Sequence, residues 1–200
     1  MRRRLDFDRR VDPDLLRECV QIALQAPAGS NRTLVRFAIV TNPQLRAAIG
    51  EVYADSYARY RESPGYIGHA QAGDDPAVQE RSARSADVLG ERMGAAPVLV
   101  VDCIVGRLPE PVSPAAAMSM AGTGMPAMWA FMLAARARHL GTAWTSLHLR
   151  RERDVAEILG IPYEEVTQFC LTPVAHTVGT DFRPARRPEA DEVIRWDRWS

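Results

Sequence analysis

A chain of 200 residues, 46% hydrophobic and 25% charged, has the length and make-up of one globular domain with a full core. Its 25 basic residues balance 25 acidic ones, which disfavours a wholesale polyanion binder and leaves nucleic acid an unfavoured partner. Every basic residue is Arg, so Lys Schiff-base chemistry, a pyridoxal-phosphate anchor and a P-loop Lys are excluded. Cys19, Cys103 and Cys170 are odd in number and far apart, which argues against a disulfide framework. The Arg-rich start precedes no apolar segment, and no 18-residue apolar run occurs; a cytoplasmic protein without a membrane span is expected.

The order of elements predicts a mixed α and β domain over residues 1–200, with an arm from about 180. Asp12-Pro13 opens a helix, Asp12 as its cap, with Leu16, Cys19, Val20 and Ala23 at helical spacing. The breakers Pro27, Gly29 and Asn31 end it. Val35–Val40 reads as a strand, and Asn42-Pro43 caps a second helix running to about Glu62. Residues 63–75 read as a loop, either a lid over a ligand or a surface connector with Tyr66 and Ile67 tucked onto the core. Asp75-Pro76 starts a third helix, and Pro97–Val101 is a buried strand. Met125–His139 predicts a nearly enclosed apolar helix, started at Pro126 and stopped by Gly141. A strand over Thr142–Leu147, a short helix over Arg151–Leu159, a strand over Gln168–Val174 and a last strand over Glu192–Trp196 follow. Trp196 and Trp199 make the tail too apolar to stay loose, so it is expected to pack, for instance on another subunit.

The chemical signals are individually weak. Gly122-Thr123-Gly124-Met125-Pro126-Ala127 spells a dinucleotide fingerprint, but no strand precedes it. No metal-binding spacing occurs, so no metal is expected. His148 follows a predicted strand and reads as a capping or edge residue, with a site residue as the alternative. Met118, Met120, Met125, Met128 and Met132 read mostly as core, though Met125 at a helix start would reach a flat ligand. Arg2-Arg3-Arg4 and Arg183 with Arg186 are solvated faces if separate; if the fold joins them, they grip one phosphate.

Six segments in order resemble one family, the FMN-dependent nitroreductases: Arg2–Asp6, Ala26–Asn31, Met125–Trp129, Leu140–Thr145, Leu159–Pro162 and Arg183–Pro188. The resemblance implies an α+β fold with a central, mostly antiparallel sheet flanked by helices, in an intertwined homodimer with a C-terminal arm. It places Arg2, Arg3 or Arg4 on the flavin phosphate and pyrimidine edge, with Arg183 and Arg186 completing the phosphate site. It lays Pro27, Ala28, Gly29, Ser30 and Asn31 against the partner's flavin, and brings Met125 and Pro126 to the cofactor. It aims the backbone N–H groups of Thr145, Ser146 and Leu147 at flavin N5. Ala28 stands where the family has Ser or Thr, and Thr33-Leu34-Val35 where Gln-Pro-Trp is common. The implied activity passes electrons from NADH or NADPH through FMN to a nitroaromatic or quinone; a flavin store or sensor without turnover is the alternative.

Overall fold

The computed structural model of the chain describes residues 4–69, 75–179, 185 and 187–199. The architecture is one antiparallel sheet between two layers of helices. Its strands are β1 (Leu5–Asp6), β2 (Val35–Val40), β3 (Val98–Val105), β4 (Leu140–Thr142) and β5 (Val166–Thr177). They run β1-β5-β3-β2, with β4 also paired to β5. β5 is the hub, and its long register with β3 (Val98↔Val174 to Val105↔Val166) shifts between Asp102 and Cys103. The central strand β3 is buried from Val98 to Ile104, as its unbroken apolar run predicts, because helices cover both its faces.

One layer holds α1 (Pro13–Ala23) and α4 (Pro114–Ala137); Leu16, Cys19, Met128, Phe131 and Ala135 pack there on Val98, Val100 and Val174. The other holds α2 (Pro43–Arg61), α3 (Pro76–Arg92) and α5 (Glu152–Leu159), whose Ile49, Tyr53, Leu89 and Val155 pack on Leu99, Val101 and Leu171. A bidentate Arg107–Glu152 pair (2.8 and 2.9 Å) ties the start of α5 to β5, because Glu152 also accepts the Gln168 N–H at 2.9 Å.

Four long helices start alike, with a polar cap followed by Pro. Asp12, Asn42, Asp75 and Ser113 each accept an N–H of the first turn through the side chain, while Pro fills the first position, where an N–H has no partner. The fourth pair corrects a sequence expectation: α4 begins at Pro114, so Pro126 lies inside the helix. The GxGxxA letters therefore sit in mid-helix, which rules out a dinucleotide turn. Nor is α4 enclosed. Met118, Met125, Trp129 and Leu133, at spacings of 7, 4 and 4, are 73, 47, 52 and 53% exposed, so Met118 and Met125 are not core residues, whereas Met128 and Met132 are.

The helix ends at Ala137, with His139 at φ 61°, and Gly141 belongs to β4. The strand expected over 142–147 stops at Thr142; the chain then touches β5 once more, Thr145 against Leu171, before a 3-10 turn at Leu147–Arg151. The last expected strand is instead a four-residue helix, α6 (Ala190–Val193), with Trp196 and Trp199 80 and 88% exposed. No strand was expected at Leu5–Asp6.

Candidate functional site

The turn Thr145-Ser146-Leu147 opens on a cavity of about 300 Å³. Trp144, Tyr53, Tyr57 and Tyr60 of α2, Ile67, and Ala86 and Leu89 of α3 complete its lining. Two reciprocal backbone bonds to Leu171 (3.1 and 2.9 Å) anchor Thr145. Its Oγ1 lies 2.9 Å from the Tyr53 hydroxyl and accepts the Leu147 N–H at 3.4 Å. Ser146 is exposed at the lip, while Thr145 and Leu147 are half-buried.

The wall is a run of aromatic rings. Tyr53, Tyr57 and Tyr60 recur at spacings of 4 and 3 along one face of α2, with centroids 6.2 and 5.8 Å apart. Tyr66 meets Tyr60 edge-on at 5.5 Å. Asp87 of α3 binds the set, accepting from Tyr57 at 2.9 Å and from Tyr66 at 2.8 Å. Burial first, and then the Asp87 carboxylate, raise both hydroxyls, so they stay protonated near neutral pH. Tyr66 and Ile67 pack on the core, and the Ile67 N–H donates to Tyr60 Oη at 2.9 Å. That matches the connector reading of residues 63–69; residues 70–74 of the expected lid lie outside the described residues.

A second concavity, about 520 Å³, lies at the other side of α3. Its lining is Arg4, Leu5 and Phe7 from the N-terminal segment, Val178 beyond β5, and Arg81, Arg84, Ser85, Val88 and Arg92 of α3. β1 pairs with the end of β5, and Arg4 O accepts the Val178 N–H at 3.0 Å. The fold thus brings the chain leaving Arg2-Arg3-Arg4 beside the chain leading to Arg183. Arg2, Arg3, Arg183 and Arg186 themselves lie outside the described residues.

Pro27–Asn31 lines neither concavity of its own chain. Gly29–Asn31 forms a 3-10 turn with Ser30 and Asn31 at φ 54 and 53°, and a Cβ on Gly29 would sit 3.2 Å from Thr123 Oγ1 of α4. Met125 and Pro126 also lie on α4, Met125 in its exposed stripe, and line neither concavity.

Sequence reasoning missed Tyr53, the three α3 arginines and the buried Asp102, and it took His148 for a cap or edge residue. Asp102 is fully buried on β3, and neither carboxyl oxygen has a partner among the described residues. Burial pushes it up to about 8, so it is neutral at pH 7. His148 is neither cap nor edge: it is fully buried just after the turn, both ring nitrogens unpartnered among the described residues, and burial lowers it to about 4. The three cysteines are buried and free.

The model of the nitroreductase family matches residues 2–179, and the chain belongs to that family. Its fold is that of solved structures covering nearly all of it. Oxidised iodotyrosine deiodinase, bound to FMN and 3-iodo-L-tyrosine, is 20% identical, with 100% of this chain and 95% of the other covered at a TM-score of 0.71. An FMN and NADPH-dependent nitroreductase from sphigopyxis sp. strain HMH is 20% identical over 98 and 94% of the two chains, TM-score 0.65. A BluB-like flavoprotein from Clostridium difficile 630 is 17% identical over 98 and 94%, TM-score 0.66. No helix among the described residues is long and apolar enough to cross a membrane.

Proposed function

We propose that the chain is a homodimeric FMN oxidoreductase that passes electrons from NADH or NADPH to a nitroaromatic or quinone acceptor. The observation that carries this reading is the pair of concavities sharing α3: the Thr145–Leu147 turn over an aromatic cavity, and an arginine-lined pocket where the N-terminal segment meets the end of β5. The donor set fits the cofactor. Guanidinium forks near Arg4 suit a phosphate and the pyrimidine oxygens, and the turn holds the Ser146 N–H in a fixed position, whereas the Thr145 N–H donates to Leu171 O and the Leu147 N–H makes a long bond to Thr145 Oγ1. Arg2, Arg3, Arg183 and Arg186 are assigned to the phosphate, and Thr145, Ser146 and Leu147 to N5.

When bound, FMN supplies the two-electron carrier between donor and acceptor. The protein's part is placement. The Leu171 bonds and Tyr53 hold Thr145, so donors at the turn stay aimed without reorganising as charge develops. The Tyr57 and Tyr66 hydroxyls stay protonated and donate to the Asp87 carboxylate, so these rings themselves add no negative charge to the cavity. For a nitroarene the sum is NAD(P)H + H⁺ + ArNO₂ → NAD(P)⁺ + ArNO + H₂O, the proton coming from solvent.

The dimer reading is supported by the exposed Met118–Met125–Trp129–Leu133 stripe and by Trp196 and Trp199, too much apolar surface to leave wet. It also gives Pro27–Asn31 and Met125–Pro126, which line neither of these two concavities, a flavin to meet on the partner.

The test is the absorption spectrum of the purified protein under anaerobic conditions. FMN bands that bleach with NADH or NADPH and return on adding a nitroarene are expected. A protein that neither carries nor binds FMN overturns the reading, and bound FMN that no donor bleaches reduces it to a flavin-binding protein.

A further inference from the structure

We propose that the Tyr60 hydroxyl donates a hydrogen bond to an oxygen of the acceptor, and that the cavity it lines favours para-quinones over nitroarenes. The inference rests on the oxidoreductase reading above and adds a catalytic residue and the acceptor's class.

Tyr53, Tyr57 and Tyr60 line the cavity under the Thr145–Leu147 turn, and Tyr66 stands behind them. Most of their hydroxyls are committed. Tyr57 and Tyr66 donate to Asp87 at 2.9 and 2.8 Å. The Tyr53 hydroxyl meets Thr145 Oγ1 at 2.9 Å. Tyr60 differs. Its Oη accepts the Ile67 N–H at 2.9 Å, and its own proton goes to no acceptor among the described residues. Ile67 is itself a lining residue, so this contact sets the hydroxyl at a wall of the cavity. Ser146 also lines the cavity, but it is exposed at the lip, where water competes for its hydroxyl.

The fold also holds this hydroxyl still. The Tyr60 ring is set between Tyr57, with centroids 5.8 Å apart at 59°, and Tyr66, 5.5 Å away at 75°. Accepting one hydrogen bond polarises a hydroxyl and strengthens it as a donor. A donor fixed before charge arrives costs no reorganisation when the charge develops. No charged side chain lines the cavity, so charge gathering on an acceptor oxygen there is met by hydroxyl and N–H dipoles alone.

Donors stand at two walls, because the Tyr53 hydroxyl is tied to the turn and the Tyr60 hydroxyl to Ile67. The turn, assigned to N5, marks where electrons enter. A nitroarene carries both its charge-gathering oxygens on one group, which one wall serves. A para-quinone carries them at opposite ends of the ring, and electrons entering at one end raise charge on both. One oxygen at the turn leaves the other for Tyr60. The sum is NAD(P)H + H⁺ + quinone → NAD(P)⁺ + hydroquinone. Two electrons and one proton derive from the donor's hydride, the second proton comes from solvent, and Tyr60 keeps its own.

The experiment compares FMN-loaded wild type with Tyr60→Phe, which keeps the ring. Each protein is reduced anaerobically and mixed with 1,4-benzoquinone, with nitrobenzene or with ferricyanide, which takes electrons without needing a hydrogen bond. The return of flavin colour gives each rate, and flavin fluorescence gives FMN affinity. A loss of about 10-fold or more is expected with the quinone, the worth of one hydrogen bond to a charge-bearing oxygen. Nitrobenzene and ferricyanide rates, bleaching by NAD(P)H and FMN affinity should stay near wild-type values. Equal quinone rates in the two proteins, a nitrobenzene loss as large as the quinone's, or all three acceptors slowed alike overturns the proposal. Weakened FMN binding in Tyr60→Phe assigns the hydroxyl to the cofactor and also overturns it. Because that variant removes the acceptor of the Ile67 N–H as well, Tyr60→3-fluorotyrosine is the second test: it keeps the contact and, at pH 6, strengthens the donor. Faster quinone reduction with an unchanged ferricyanide rate is expected, and an unchanged quinone rate counts against the proposal. A wild type that binds no FMN fails the oxidoreductase reading itself, whereas a loaded wild type that fails only the quinone comparison fails this proposal alone.

Discussion

The Tyr53 hydroxyl of α2 and Thr145 Oγ1 lie 2.9 Å apart across 92 residues of sequence. This bond joins the aromatic wall of the cavity to the turn assigned to flavin N5. Tyr53→Phe keeps the ring and removes the hydroxyl, leaving Thr145 short of a partner in a half-buried place. A loss of about 1 kcal/mol in unfolding free energy is expected. Thr145→Val should cost a similar amount, and the double variant clearly less than the sum, because both remove one interaction. Bleaching by NAD(P)H should slow in each. Fully additive stabilities in denaturant titrations would show that the contact couples nothing.

Gly90 of α3 makes room for the Tyr57 ring. A Cβ there would sit 2.3 Å from Tyr57 Cδ1 and 2.6 Å from Cγ, too close for any side-chain swing about the far end of the ring to relieve. Gly90→Ala should therefore displace Tyr57, break its bond to Asp87 and distort the cavity. Ala favours a helix over Gly by about 1 kcal/mol, but overpacking costs about 1–3 kcal/mol and the broken bond about 1 more. A net loss is expected in urea unfolding; stability equal to or above wild type would show that the ring yields freely.

Asp102 and His148 set opposing pH slopes. Asp102, raised from 3.8 to about 8, holds a proton in the fold that the unfolded chain has lost, so its contribution falls as pH rises through that window. His148, lowered from 6.5 to about 4, stays neutral in the fold, so its contribution falls as pH drops below 6.5. Between pH 4 and 6.5 the two offset each other. From 6.5 to 8 only the Asp102 slope remains, about 1.4 kcal/mol per unit and on the order of 2 kcal/mol in all. Asp102→Asn should remove that decline, gaining on wild type more at pH 8 than at pH 5. Urea midpoints measured at pH 5, 6.5 and 8 test this; parallel profiles for the two proteins would contradict it.

Much of the fold was legible because its signals are local. Three cap–Pro pairs place α1, α2 and α3 to within a residue or two at their starts. The fourth, Ser113-Pro114, carries the same signal, but the Gly-Pro letters at 122–126 drew the helix start twelve residues too late. The enclosed α4 failed for a physical reason: an apolar residue bound for an interface looks, in sequence, like one bound for the core. The site was half legible. The resemblance led to Thr145–Leu147, which does border a cavity. Arg81, Arg84 and Arg92 escaped because they are scattered in sequence and gather only at helical spacing. Asp102 stood in plain view within Val-Leu-Val-Val-Asp-Cys-Ile-Val, a lone carboxylate in a buried strand.

The exposed stripe of α4 gives the sharpest test of assembly. Met118, Met125, Trp129 and Leu133 share one helical face, and Trp129 and Leu133 are each about half exposed, 52 and 53%. In a monomer, Trp129→Glu changes an exposed position and should alter unfolding by no more than about 0.5 kcal/mol. In a dimer sealed through this face it buries a charge without a partner, which costs several kcal/mol and separates the subunits. The second outcome is expected, with loss of FMN, since Pro27–Asn31 is assigned to the partner's flavin. Sedimentation velocity with flavin absorbance reads both effects. Deleting residues 189–200 should weaken the dimer independently, because Trp196 and Trp199 have little of their own chain to pack on. A Trp129→Glu protein that stays dimeric and yellow would move the interface away from α4.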